Sequence, residues 1–182
     1  MGGLAIRTAE VRDAPGIAAI GRAAFRAVHD AVIGPEAAAE VVEKTYSVEA
    51  LTACIARCAS AGDAEFLVAD EEGRVVGYLH YDCEGPGPEL HRIYVDPSRK
   101  RGGIGSSLLR ELHARLEPGT SYVLMVAEEN AAARAFYERQ GFVFSAKVIG
   151  NEYYSESMGI ELEPVPPPFQ DRALLLRFTV PG

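Results

Sequence analysis

The segment Val95-Asp96-Pro97-Ser98-Arg99-Lys100-Arg101-Gly102-Gly103-Ile104-Gly105-Ser106 sets the reading of the whole chain. An extended stretch, Glu89 to Val95, runs into it. A helical stretch, Gly103 to Leu116, runs out of it with Leu108, Leu109, Leu112 and Leu116 in one stripe. Backbone N–H groups at a helix start have no partner inside the helix, and the helix dipole adds partial positive charge there. Glycines let an anion come close to those amides. Arg99, Lys100 and Arg101 add basic charge. The physical reading is a cradle for a pyrophosphate. A P-loop would need Gly-x-x-x-x-Gly-Lys-Ser/Thr, which is absent. A dinucleotide fingerprint would need glycine where Leu108 stands, and would start directly after the strand. Here seven residues separate Val95 from Gly103, although Glu128 and Glu129 lie near the ribose-binding distance of that motif. A tight turn with solvated basic residues is the remaining alternative.

Toward the C-terminus, Pro118-Gly119 stops the helix and Tyr122 to Val126 reads as a strand. Then follows Asn130-Ala131-Ala132-Ala133-Arg134-Ala135-Phe136-Tyr137-Glu138-Arg139-Gln140-Gly141-Phe142. Asn130 is placed to cap a helix that ends at Gln140, with Gly141 at its C-terminal cap. Asn130 and Tyr137 fall on one helix face, and the alanines keep that face low enough for a ligand to lie on it. An asparagine amide bridges a polar chain and the backbone, and a tyrosine hydroxyl can give its proton to a thiolate leaving group. A capped amphipathic helix with a half-buried tyrosine explains the same residues without chemistry. Phe142 to Ile149 and Arg172 to Val180 read as strands, and the stretch between them holds Pro164, Pro166, Pro167 and Pro168 in an extended loop.

Toward the N-terminus, Arg74 to Asp82 and Glu65 to Asp70 form a hairpin around Glu71-Glu72-Gly73. Gly85-Pro86-Gly87-Pro88 marks the turn into Glu89. Three helical stretches come earlier. The first is capped by Asp13, carries Ile17, Ile20, Ala24 and Val28 on one face and closes at His29-Asp30. The second runs from Glu36 to Lys44, and the third is capped by Ser47 with Leu51, Ile55 and Cys58 on one face. Ala5 to Ala9 is a short opening strand. Cys54 and Cys58 are an i,i+4 pair, and no histidine or further cysteine lies at ligand spacing, so core packing and no metal are expected. An antiparallel first half and a β-α-β second half give an α+β, mixed-sheet domain.

Length and charge agree with this. The chain has 182 residues, one domain (1–182) by size, with 48% hydrophobic and 24% charged residues. Lys plus Arg total 18 against 26 Asp plus Glu, a net charge of −8. General nucleic-acid binding needs a basic face and is therefore excluded as an expectation. Three cysteines do not close a disulfide framework and point to a reducing compartment. The start lacks the regions of a signal peptide, and Ile6 stands where a myristoylation motif needs Ser or Thr. No apolar run approaches the ~18 residues of a membrane span, so a cytoplasmic protein without a membrane partner is expected.

Together the two motifs resemble the GNAT family of N-acetyltransferases. Lys100-Arg101-Gly102-Gly103-Ile104-Gly105 is similar to the family's Gln/Arg-x-x-Gly-x-Gly/Ala signature, departing from it at Lys100. Asn130-x-x-Ala133-x-x-x-Tyr137, then Glu138 and Gly141-Phe142, is similar to the second. The resemblance implies a mixed, mostly antiparallel sheet of about seven strands with flanking helices and a splayed fourth and fifth strand that admits acetyl-CoA. It implies that main-chain groups of Ile93, Tyr94 and Val95 pair with the pantetheine arm. Around Lys100, the amides of Arg101, Gly102, Gly103, Gly105 and Ser106, with Ile104 between them, would hold the pyrophosphate. Asn130 and Ala133 would touch the pantetheine or nucleotide end. Tyr137 would protonate the departing thiolate and Glu89 would be the general base, with His91 the main competitor and Glu84 and His80 weaker ones. Cys83 lacks the partners of a nucleophile. His29, Glu89, Tyr153 and Tyr154 are the candidate amine-binding residues. The implied reaction is direct transfer of acetyl from acetyl-CoA to an amine, without a metal. A non-catalytic acyl-CoA-binding module is the rival. Similar proteins are often homodimers.

Overall fold

The computed structural model describes residues 3–83, 88–148 and 173–182. It is a mixed α+β fold with a seven-stranded, mostly antiparallel sheet in the order β1-β2-β3-β4-β5-β7-β6. The strands are β1 (Leu4–Thr8), β2 (Glu65–Glu71), β3 (Arg74–Asp82), β4 (Glu89–Val95), β5 (Ser121–Ala127), β6 (Val143–Val148) and β7 (Ala173–Thr179). The helices are α1 (Ala14–Ile33), α2 (Pro35–Thr45), α3 (Val48–Ser60), α4 (Ile104–Arg115) and α5 (Ala131–Arg139). The chain divides into two compact units, Met1–Asp82 with Arg92–Arg115, and Cys83–His91 with Leu116–Gly182.

In the first unit β1 pairs antiparallel with β2 from Leu4–Glu71 to Thr8–Leu67. β2 returns into β3 through Glu72 and Gly73, whose φ values of 54° and 84° match the type I′ turn that suits strand twist. The Asp70 carboxylate accepts from the Gly73 N–H at 2.6 Å and fixes the turn. Phe66 to Ala69 are buried without alternation, because α3 and α4 both pack on β2. Ile17 and Ile20 of α1 and Leu51, Ile55 and Cys58 of α3 share a core with Phe66, Val68 and Tyr78. Ser47 caps α3 as expected, its side chain accepting from the Ala50 N–H at 3.1 Å. Asp13 does not cap α1 through its side chain. Its carboxylate instead takes the Glu10 N–H and a two-pronged ion pair from Arg7 at 2.7 and 2.8 Å, since a buried charge gains more from a guanidinium fork than from one amide. Helix α1 continues past His29-Asp30 to Ile33, stopping where Gly34 turns to φ 85°.

In the second unit β7 lies between β5 and β6 and is antiparallel to both. Along β5, Tyr122, Leu124 and Val126 are buried in strict alternation. Tyr122, Phe142 and Phe178 form an aromatic core with ring centroids 5.1–5.8 Å apart. The parallel strands β4 and β5 register at the rung Glu89–Val123, and the Val123 N–H donates to the Pro88 carbonyl at 3.1 Å.

Candidate active site

In the first unit the glycine turn is a shaped piece of backbone. Asp96 anchors it: its N–H donates to the Val76 carbonyl at 2.9 Å, and its carboxylate accepts from the Ser98 N–H and hydroxyl at 2.9 and 2.7 Å. Those two donors hold the Asp96 carboxyl below the usual carboxylate range. Pro97–Arg99 makes one 3-10 turn. Arg101 and Gly103 then both adopt left-handed backbone, at φ 66° and 77°. For Arg101 that is a strained conformation, which the turn must hold in place. The Gly103 carbonyl accepts from the Ser107 N–H at 2.9 Å and opens α4. The amides of Ile104, Gly105 and Ser106 thus belong to the first turn, where N–H groups have no intrahelical partner.

Packing brings α4 to this position. Gly77 of β3 has no side chain, and a Cβ there would lie 3.0 Å from Ile104 Cγ2 and 3.1 Å from the Tyr94 carbonyl. Helix α4 can therefore seat its first turn close against the sheet. The basic turn is less charged than its sequence suggests, because Arg99 pairs with Glu71. Among the described residues Lys100 and Arg101 make no ion pair, and both are exposed. Ile93, Tyr94 and Val95 follow half-buried on β4, and the Tyr94 hydroxyl accepts from that of Tyr46 at 3.3 Å.

In the second unit Glu89 is 3% exposed, so it is a desolvated carboxylate and not a solvated strand end. His91, two residues on, brings Nδ1 to 3.6 Å from Glu89 Oε1. Asn130 caps α5, its side-chain oxygen accepting from the Ala133 N–H at 3.1 Å. That bond commits the Ala133 amide and leaves the Asn130 side-chain NH2 as donor. The Tyr137 ring packs edge-on to Phe136 and Phe142, at 5.3 and 5.4 Å between centroids. Burial pushes its hydroxyl above the ordinary tyrosine range, so it stays protonated at neutral pH. Glu128 pairs with Lys147 at 2.8 Å.

Other candidates fall elsewhere. His29 is buried on α1 with its ring 4.2 Å from that of Phe25. Burial lowers its pKa to about 4, so the ring is neutral at pH 7. Glu84, Tyr153, Tyr154 and the proline-rich stretch lie outside the described residues. One grouping was not legible in the sequence: Cys54, Cys58 and His80 converge, with Cys54 Sγ 3.6 Å from His80 Nε2. The only sequence signals were the i,i+4 thiols and the i,i+2 pair His80 and Asp82, and nothing along the chain joins them.

Comparison with known proteins finds one family across both motifs. Residues 62–144 match the family model described as the acetyltransferase (GNAT) domain, a span holding both motifs. The chain is 40% identical over 81 residues to the N-alpha-acetyltransferase RimI of Mycobacterium tuberculosis, covering 42% of this chain and 51% of RimI. It is 36% identical over 84 residues to the IAA acetyltransferase of Azospirillum brasilense, covering 44% of this chain and 55% of that one. The chain thus spans about half the length of these curated relatives. In fold it is similar to PaiA N-acetyltransferase from Thermoplasma acidophilum, solved in complex with coenzyme A, with a TM-score of 0.75 and 19% identity over 97% of this chain and 99% of that one.

Proposed function

From the premise that the chain carries a GNAT acetyltransferase domain, we propose that it is an N-acetyltransferase, moving acetyl from acetyl-CoA to a primary amine on a small molecule or peptide. The observation that carries this reading is the glycine turn. Its left-handed Arg101 and Gly103 and the open first turn of α4 make a backbone surface suited to a pyrophosphate. In this proposal the amides from Arg101 to Ser106 hold that group, and Lys100 and Arg101 supply charge that no carboxylate among the described residues neutralises. Main-chain groups of Ile93, Tyr94 and Val95 pair with the pantetheine arm as an added strand would. Asn130 donates through its amide, and Ala133 offers its methyl surface.

The chemistry then follows from the side chains. Most alkyl amines are protonated at neutral pH, so one proton must leave before attack. Glu89, desolvated and beside His91, takes that proton. The amine nitrogen bonds to the thioester carbonyl carbon, and the displaced electron pair moves onto oxygen, which the Ile93 N–H receives. Collapse restores the carbonyl and breaks the carbon–sulfur bond. Tyr137 gives its proton to the sulfur, the nitrogen sheds its second proton to solvent, solvent reprotonates Tyr137, and amide and free thiol are the products.

A panel of small amines, protein N-termini and lysine peptides, assayed for thiol release from acetyl-CoA, tests the proposal. Turnover on at least one class is expected. Tight CoA binding without turnover on any of them would favour a non-catalytic acyl-CoA-binding module instead.

A further inference from the structure

We propose that Cys54, Cys58 and His80 form a three-ligand site for a thiophilic divalent cation of the zinc class, with Asp82 at its edge. This is independent of the acetyl-transfer reading, and it revises the expectation that the two cysteines only fill the core. Helix α3 sets Cys54 and Cys58 one turn apart on one face, and β3 sets His80 and Asp82 on one face of the sheet. The two sulfurs and one imidazole nitrogen lie within 4.8 Å of one another.

The spacings fit one shared cation. Ligands at about 2.3 Å for sulfur and about 2.0–2.1 Å for nitrogen, at tetrahedral angles, stand roughly 3.6 Å apart. Cys54 Sγ and His80 Nε2 are 3.6 Å apart. Asp82 Oδ2 stands 3.3 Å from the same nitrogen, at the edge of the three-ligand group. Cys58, His80 and Asp82 are buried and Cys54 is half-buried, which leaves an entry from the Cys54 side. The His80 ring is held in orientation by the Phe66 ring, stacked at 5.1 Å and 19°.

Charge also balances. Two thiolates carry two negative charges against two on the cation, and Arg57 at the rim offsets the neighbouring Asp82 carboxylate. Its guanidinium is 3.8 Å from both Asp82 Oδ2 and Cys54 Sγ on a side chain 46% exposed. Arg92, the other cation that acts on Cys54, is held over the Tyr46 ring at 5.3 Å. A donor set with two sulfurs and an imidazole selects zinc-like ions over magnesium or calcium, which prefer all-oxygen sites. Its three protein ligands come from two elements, so the bound cation ties α3 to β3. Both sulfurs bind the cation as thiolates.

The full chain, stripped with chelator and kept under a phosphine reductant, is titrated with cobalt(II) and then zinc(II). One equivalent of cobalt should bring the visible bands of four-coordinate cobalt and thiolate-to-cobalt charge transfer. Zinc should abolish both and raise Tm. Cys54→Ser, Cys58→Ala and His80→Gln should each lose more than the ~10–100-fold in affinity that outer-shell changes cost. Cys83→Ser should bind as the parent does. Far-ultraviolet circular dichroism of each metal-free variant separates lost ligation from lost fold, and half-buried Cys54 is the variant least exposed to that ambiguity. Absence of the cobalt bands at one equivalent, an unchanged Tm with zinc, or bands that survive in a folded Cys54→Ser variant would each overturn the site.

Discussion

Tyr137 packs in the core of its unit, and the proposed function gives it a chemical role as well. Its ring is held edge-on by Phe136 and Phe142, and burial raises its hydroxyl pKa by disfavouring the phenolate. A group that stays protonated at neutral pH is suited to donate a proton to a departing thiolate. Tyr137→Phe keeps both ring contacts and removes only the hydroxyl, so the fold should survive while kcat falls ~10²–10⁴-fold. An unchanged kcat, measured in single-turnover experiments where chemistry limits the rate, would reject the acid role. Glu89 illustrates the limit of reading a residue in isolation. After a Gly-Pro turn it looks like a solvated strand end, yet it is buried beside His91 because β4 meets β5 at that rung. The identity of Tyr137 as a candidate came from its helical offset to Asn130. The burial of Glu89 required a partner strand that lies more than thirty residues further on.

At the scale of elements, the approach of α4 to β3 decides whether the glycine turn has its shape. Sequence periodicity gave α4 and its leucine stripe, and Leu108, Leu109 and Leu112 are indeed buried. It did not reveal Gly77, which reads as an ordinary interior strand position. A Cβ there would meet Ile104 at 3.0 Å and a backbone oxygen at 3.1 Å, and the backbone atom cannot rotate away. Gly77→Ala should therefore lift the first turn of α4, costing roughly 1–3 kcal/mol of stability and weakening CoA binding in parallel. Urea denaturation and CoA titration of the same variant check it, and wild-type values in both would show that the contact is easily relieved. Caps were legible where one side chain meets the next turn, as at Ser47 and Asn130. The expected Asp13 cap failed because Arg7, on a different element, competes more strongly for that carboxylate.

For the whole molecule, stability against acid should fall in two stages. His29 has its pKa lowered from 6.5 to about 4, chiefly by burial and against an opposing pull from Asp30. As pH falls from about 6.5 to about 4 the unfolded chain takes a proton that the folded one refuses, which removes on the order of 3 kcal/mol. Asp13 and Asp70, both held low by Arg7, add a loss in the same direction at lower pH: their contribution is full above the ordinary carboxylate range and is lost as pH falls below it. Urea midpoints between pH 7 and pH 3 should show both stages, and His29→Gln should flatten only the first. An equal slope in that variant between pH 6.5 and pH 4 would contradict the assignment. The amino-acid sequence by itself determined the strands, helices, glycine turn and capped Asn130 helix, because those depend on periodicity, caps and turn residues close together in the chain. Tertiary structure alone decided the burial of Glu89, the seat that Gly77 gives to α4, and the meeting of Cys54 and Cys58 with His80. Each of those depends on which distant strand or helix supplies the neighbouring surface, and local sequence carries no record of that neighbour.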